Sequence, residues 1–415
     1  MAEPYPIFHV LGPESQSLEG EILALVRYFS RQSHPVTVIS SQTRLQQRRL
    51  NEAGARWVNL SLPDSHASGD WTGALRQLRR LLAERQPRLV HSHGPTAAVA
   101  THWATRSLSP PPGLVISLPG LGAHRFPFFW RLQLRQALNR ADRIILQASA
   151  DLEVLQRLHP PSARRCEVIP HAVEVRPLHS DFDVGLKRRA LGVRPESAVI
   201  GVISPCLRGL GLESFIEAAA HINRDFPNVE FLMVGEGDQQ RELKALAHQL
   251  GAGGAMIFRG ARADVPEIIG SLNVLVIPRE IPGAIEHALQ AVIQEVPVVA
   301  ARSPALAEVL ETVDPEALVP ADDVAALVAA LAQRLELLPD PEELPGVYLE
   351  GGLTLNYRDM LVSAEAYDLD QSGLEAEDRE GLSPPRQAAL KAMQRYSPRR
   401  MIEATEKLYQ EVMQV

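Results

Sequence analysis

Cysteine is almost missing from this 415-residue chain, with Cys166 and Cys206 its whole supply. Neither sits in a CxxC pair or beside a histidine at metal-ligand spacing. That argues against a disulfide framework or a zinc site and fits a reducing compartment. Basic charge is short as well: 42 Lys and Arg face 50 Asp and Glu, a net of −8. No nucleic-acid partner is expected from such a balance. Aromatic residues make up only 5%, too few for a lectin-like surface of stacking rings. The longest apolar runs, such as NVLVIP and VPVVAA, are of strand length, and MAEPYPIFHVLG has no basic leader region. A cytoplasmic protein without a membrane span is therefore expected. Neither GxxxxGK[ST] nor GxSxG occurs, so a phosphate-loop kinase and an α/β-hydrolase elbow are both unsupported.

What is present is ordinary for a globular protein: 45% apolar and 22% charged residues, on a chain long enough for two cores. Strand-like runs fall at Ile7–Leu11, Val36–Ile39, Leu89–His91, Leu114–Leu118, Ile144–Leu146 and Val168–Ile169. Helical patterns lie between them at Glu19–Ser30, Thr72–Arg85 and Trp130–Ala141. After a polar stretch near 174–197 the alternation restarts with AVIGVIS, VEFLMVG, AMIFRG, NVLVIP and VPVVAA. Short β-rich runs alternating with helices predict parallel sheets covered on both faces. The expected fold class is α/β: two Rossmann-like domains facing a cleft, each offering ligands the carboxyl ends of its strands.

The expected boundaries are 1–175 for an N-terminal domain, 176–384 for a C-terminal domain, and 385–415 for a helix crossing back to the first. Within the second, residues 339–384 carry twelve Asp and Glu against Arg358 and Arg379 and read as a solvated insertion. Its DLDQSGLEAEDR partly resembles a calcium loop, but Arg379 replaces the closing glutamate and removes the bidentate ligand. In the final helix Met401, Leu408 and Val412 recur at helical spacing beside Ile402, Tyr409 and Met413, a broad apolar face that must dock.

Several segments stand in an order that resembles the family-4 type (group 1) glycosyltransferases of the GT-B fold. SHPVTVIS, LVHSHGPTAAVA, ADRIILQAS and CEVIPHAVEV are followed by VGEGDQQRELKALAHQLG, FRG, NVLVIP and EVPVVAAR. The resemblance implies transfer of a sugar from a nucleotide-sugar donor with retention of configuration. It implies that the second domain holds the nucleotide and the first shapes a site for a glycan, lipid-linked or small-molecule acceptor. It also implies no metal and no cofactor beyond the nucleotide-sugar substrate.

Matched position by position, the donor motifs are eroded. SPCLRGLGLESFIEA places Pro205 and Leu210 where the family carries an arginine and a lysine. Arg208 lies between them and is the candidate cation for the diphosphate, with Gly209 and Gly211 allowing backbone approach to an anion. Pro282 and Gln290 take the places of two glutamates eight apart. The resemblance makes Gln290 the ribose contact, as an uncharged hydrogen-bonding group, and leaves Gly283 as a backbone contact. Pro119 stands where the family often has histidine. His93 is then the candidate catalytic histidine, its titration range suiting site chemistry; His91, earlier on the same strand, is expected to point inward and pack. His124 is a further candidate, and Gly94, Ser149, Gly235 and Gly237 are expected to line the cleft. Gly235 and Gly237 read equally as a phosphate loop or a tight strand-to-helix turn.

Three readings follow: a retaining glycosyltransferase, a non-catalytic GT-B scaffold that binds a nucleotide or glycan, and a sugar-nucleotide epimerase. The last lacks its charged motifs here. RFPFFWRLQLRQALNR, residues 125–140, mixes aromatics with arginines and admits a peripheral membrane contact at the inner membrane face. Helical periodicity favours Trp130, Leu134, Ala137, Leu138 and Ala141 facing the sheet.

Overall fold

The computed structural model describes residues 3–337 and 395–414, apart from 14, 16–18, 42–43, 64–70, 120, 122–126, 171, 173–181, 195, 282 and 312. The acidic stretch 339–384, His124 and Pro282 lie outside the described residues. The chain forms two compact units, Met1–Glu174 with Gln394–Val415, and Val175–Met393.

The first unit alternates β1 (Ile7–Leu11), α1 (Glu19–Arg31), β2 (Val36–Ser40), α2 (Arg44–Glu52), β3 (Arg56–Asn59), α3 (Trp71–Arg85) and β4 (Leu89–His93). It continues through α4 (Pro95–Thr105), β5 (Gly113–Ser117), α5 (Phe128–Arg140), β6 (Arg143–Leu146), α6 (Ser149–Leu158) and β7 (Cys166–Val168). All seven strands run parallel in the order β3-β2-β1-β4-β5-β6-β7. Every residue of β1, β2 and β4 is buried, because helices cover both faces of a parallel sheet. In α1, Ile22, Leu25, Val26 and Phe29 are buried at the spacing of one helical face.

The second unit begins with α7 (Val184–Ala190), β8 (Ala198–Ile203), α8 (Leu212–Asp225), β9 (Val229–Val234), α9 (Gln240–Gln249) and β10 (Met256–Arg259). It continues with α10 (Val265–Ile269), β11 (Val274–Ile277), α11 (Ala284–Ile293), β12 (Val298–Ala301), α12 (Pro304–Leu310), β13 (Leu318–Val319) and α13 (Val324–Glu336). The sheet order is β10-β9-β8-β11-β12-β13, again all parallel. Both units are thus Rossmann-like, as expected. Two strands escaped the sequence pattern. The edge strand β3, Arg56–Asn59, is exposed or half-buried throughout and so shows no apolar run. The two residues of β13 are too few to show a period.

The last helix, α14 (Pro398–Gln414), buries Met401, Thr405, Leu408, Tyr409 and Val412. It packs within the first unit, where these side chains join a core built from β1, α1, β2 and β5. Tyr28 donates to Glu406 at 2.6 Å and Arg143 pairs with Glu411 at 3.1 Å.

Candidate functional site

Each sheet has one place where the strand order reverses, and there two neighbouring carboxyl ends diverge to opposite faces and leave a crevice. In the second unit this falls between β8 and β11. The loop 204–211 leads from β8 into α8, and the loop 278–283 leads from β11 into α11. The two loops touch: a Cβ added at Gly211 would lie 2.9 Å from the Pro278 carbonyl oxygen. Both helices begin at a glycine in the left-handed region, Gly211 (φ 75°) and Gly283 (φ 85°), and neither has a side-chain cap. Elsewhere in this unit Asp183, Ser303 and Asp323 cap α7, α12 and α13 in the usual way. No side chain caps α8 or α11, although the Ala284 amide donates to the Ile281 carbonyl at 2.9 Å, and the helix dipoles favour an anion at both starts.

The other predicted residues of this unit fall around that crevice in different ways. Gly209 (φ 80°) has open space where a Cβ would stand. Arg208 is exposed and its Nη2 donates to both carboxylate oxygens of Glu242 on α9, at 2.6 and 2.5 Å. This candidate cation is thus already paired. Gln290 is buried in the second turn of α11. Gly235 and Gly237 serve a close approach of two loops. A Cβ on Gly235 would fall 1.9 Å from the Ser204 oxygen, and one on Gly237 would fall 2.3 Å from the Cys206 oxygen. The Cys206 amide donates to Glu236 at 2.9 Å and the Gln239 amide to Cys206 at 3.0 Å, so these glycines lock the β9 loop against the β8 loop. His287, one turn into α11, was not foreseen. Burial pushes its imidazole down to about 4, so it is neutral at pH 7 beside Gly283, whose added Cβ would lie 3.7 Å from its ring.

In the first unit the order reverses between β1 and β4. His93 ends β4, and its carbonyl oxygen accepts from the Gly12 amide at 3.0 Å and the Ser15 hydroxyl at 2.5 Å. Gly94 (φ 92°) starts α4, and its amide donates to Ser117 at 2.8 Å. Ser149 is the exposed first residue of α6, past the end of β6, two strands away from β4. It shares the carboxyl edge with His93 without joining it.

The histidines themselves differ from the expectation. His91 and His93 are two residues apart on one strand, so their side chains share a face, and their rings stand 4.0 Å apart. His9 on β1 completes the group, its Nδ1 2.9 Å from His93 Nε2. All three are 0–1% exposed. Burial lowers His9 to about 4 and holds His91 and His93 well below the ordinary range. His93 is therefore a neutral core imidazole, and the expected titration near neutrality is corrected by its burial. His91 packs as expected, although on the same side as His93: its ring nitrogens meet Tyr409 Oη at 2.6 Å and Ser117 Oγ at 2.7 Å. Among the described residues these three histidines are the group whose ligand atoms come within 4.8 Å of one another. With both His91 nitrogens engaged, the trio as arranged is a hydrogen-bonded core network.

Set beside known proteins, the chain matches two family models: Glycosyl transferase 4-like domain over residues 20–172 and Glycosyl transferases group 1 over residues 197–336. Together they account for more than half of it. It is 28% identical over 264 residues to a 2-deoxystreptamine N-acetyl-D-glucosaminyltransferase of Streptomyces fradiae, covering 59% of this chain and 62% of that protein. It is 26% identical over 212 residues to a 2-deoxystreptamine glucosyltransferase of Streptomyces kanamyceticus, covering 49% and 53%. The chain thus matches less than two thirds of the length of either relative. In fold it is similar to Anabaena HepE, solved in complex with UDP and glucose, with a TM-score of 0.74 at 16% identity over 98% of this chain and 100% of that one.

Proposed function

Because the chain belongs to the group 1, family-4 type glycosyltransferases of the GT-B fold, we propose that it transfers a sugar, with retention, from a nucleoside-diphosphate donor held in the crevice of its second unit. The observation that carries this reading is the pair of glycine-started, side-chain-uncapped helices α8 and α11 on neighbouring strands. A departing nucleoside diphosphate accumulates negative charge, and oriented amides stabilise it without reorganising. In this reading the amides after Gly211 receive the diphosphate. The amino end of α11, past Gly283, faces the sugar and its proximal phosphate, and Gln290 answers the ribose. Gly209 leaves room for the phosphates. Arg208 joins them once released from Glu242. The closed loops at Gly235 and Gly237 fix the position of the α8 entrance. His93, Gly94 and Ser149 are assigned to the acceptor side, with His93 holding the β4 end in place rather than moving a proton.

The donor is read as a uridine nucleotide, which HepE binds. The acceptor is read as a hydroxylated small molecule or glycan, in keeping with the 2-deoxystreptamine of the Streptomyces relatives. Two free thiols suit a cytoplasmic setting, where such donors are made. The test is calorimetric titration with UDP, GDP and ADP, followed by hydrolysis of the matching sugar nucleotides. UDP binding is expected, and Leu210→Lys with Gln290→Glu should tighten it at least tenfold. No binding by any of the three nucleotides, in the wild type or the double variant, defeats the proposal. Tight binding with neither hydrolysis nor transfer identifies a non-catalytic nucleotide-binding scaffold instead.

A further inference from the structure

The first unit carries a surface apart from the residues assigned above to the transfer reaction. Helix α5 leaves Phe128 85%, Phe129 66% and Leu132 45% exposed, and Trp103 of the adjoining α4 is 37% exposed. Phe128 and Leu132 stand one turn apart, with Phe129 beside them. Trp103 is fixed on the same face, its Nε1 donating to Gln133 of α5 at 2.9 Å, with the Arg106 guanidinium 5.3 Å from its ring. The inward side of α5 is satisfied separately: Leu134, Ala137 and Leu138 are buried, and Trp130 packs against Trp71. The projecting rings are therefore surplus to the core, and large exposed rings grouped together mark a contact surface.

Towards the carboxyl ends of the same two helices lies an open groove of about 380 Å³, lined by His102, Arg106, Gln136, Asn139 and Arg140. No acidic residue lines it, and none occurs in α4 or α5. Asp142, 3.7 Å from Arg140, is the one carboxylate paired with a lining residue among the described residues. His102 Nδ1 is buried without a hydrogen-bond partner. Cations and exposed aromatic rings thus share one surface, with Arg106 against the Trp103 ring and the exposed Arg131 within a turn of Phe129, on a chain whose net charge is −8. That mixture suits a bilayer surface, in which phosphates lie beside the upper acyl chains.

We propose that the α4–α5 face of the first unit docks on an anionic lipid surface. Phe128, Phe129 and Leu132 enter the headgroup boundary, and the groove of His102, Arg106 and Arg140 receives a lipid phosphate. This partner is independent of the donor chemistry proposed above, and it is tested without any turnover. The full chain is co-sedimented with phosphatidylcholine vesicles, with or without about a third of phosphatidylglycerol, at low salt and at about 0.5 M sodium chloride. Binding is expected on the anionic vesicles, at least tenfold weaker on the neutral ones, and lost at high salt. Phe128→Ser with Phe129→Ser should lower partitioning about tenfold or more, and Arg106→Glu by about fivefold or more. All three side chains are exposed, so the variants should melt like the wild type. Brominated lipid should quench tryptophan emission, and Trp103→Phe should abolish most of that quenching. Failure of the wild type to bind, equal binding to neutral vesicles, or indifference to the paired Phe substitution overturns the proposal. So does loss of a dimer in sedimentation velocity on the Phe substitutions without vesicle binding, which assigns the surface to a second copy.

Discussion

Replacing Tyr409 by phenylalanine removes one oxygen from the core of the first unit and leaves the ring. That oxygen lies 2.6 Å from His91 Nδ1, and both side chains are 0–1% exposed. The ring contact with Phe29, stacked at 5.0 Å, survives the change, so no appreciable cavity opens. The cost is a buried imidazole nitrogen stripped of its partner, worth about 2 kcal/mol. Because Ser117 holds the other ring nitrogen at 2.7 Å, the imidazole is not free to turn and find a replacement. All four tryptophans, Trp57, Trp71, Trp103 and Trp130, belong to this unit, so their fluorescence during urea unfolding reports on it alone. With a slope of about 2–3 kcal/mol per molar urea, the midpoint should fall by about 0.7–1 M. A midpoint within about 0.2 M of the wild type refutes the reasoning. Strictly additive losses for Tyr409→Phe and His91→Leu would also refute it, since partners in contact must couple.

The histidine network also sets a pH dependence. His9, His91 and His93 are held neutral by burial, with His9 at about 4, and each returns to about 6.5 on unfolding. Below that pH the unfolded chain binds more protons, so stability is full above about pH 6.5 and falls as the pH drops below it, the His9 contribution being lost down to about pH 4. Tryptophan-detected urea midpoints at several pH values check this, and a flat profile between pH 7 and 5 rejects it. Gly235→Ala forces a methyl group into the Ser204 carbonyl, so the second unit should lose about 2 kcal/mol or more, read as a lowered calorimetric transition. An unchanged transition means that the β8 and β9 loops are not locked together. Glu242→Gln releases Arg208 from an exposed ion pair worth at most about 1 kcal/mol, so nucleotide affinity should tighten by up to about fivefold. Weaker binding would show that Glu242, not Arg208, serves the ligand.

Most of the sheet scaffold was legible because buried parallel strands carry uninterrupted apolar runs. The apolar run Ile7–Leu11 coincides with β1, while the run Leu89–His91 stops two residues short of the end of β4 because Ser92 and His93 are polar yet wholly buried. The strand Arg56–Asn59 was illegible for the opposite reason, being charged at one end and half-exposed. Docking of the final helix could be foreseen from Met401, Leu408 and Val412, but its hydrogen bond to His91 could not. In α5, periodicity found the buried face, and the exposure of Phe128 and Phe129 came only with the fold.

The sequence by itself determined two α/β units and their family, since these follow from periodicity and segment order. Tertiary structure alone decided what the retained residues do. It paired Arg208 with Glu242, tucked Gly211 against Pro278, and brought His9, His91 and His93 into one buried network. The physical reason is that charge state, pairing and close approach depend on neighbours distant in the chain. Tyr409 reaches His91 across 318 positions, a separation over which no local pattern carries information.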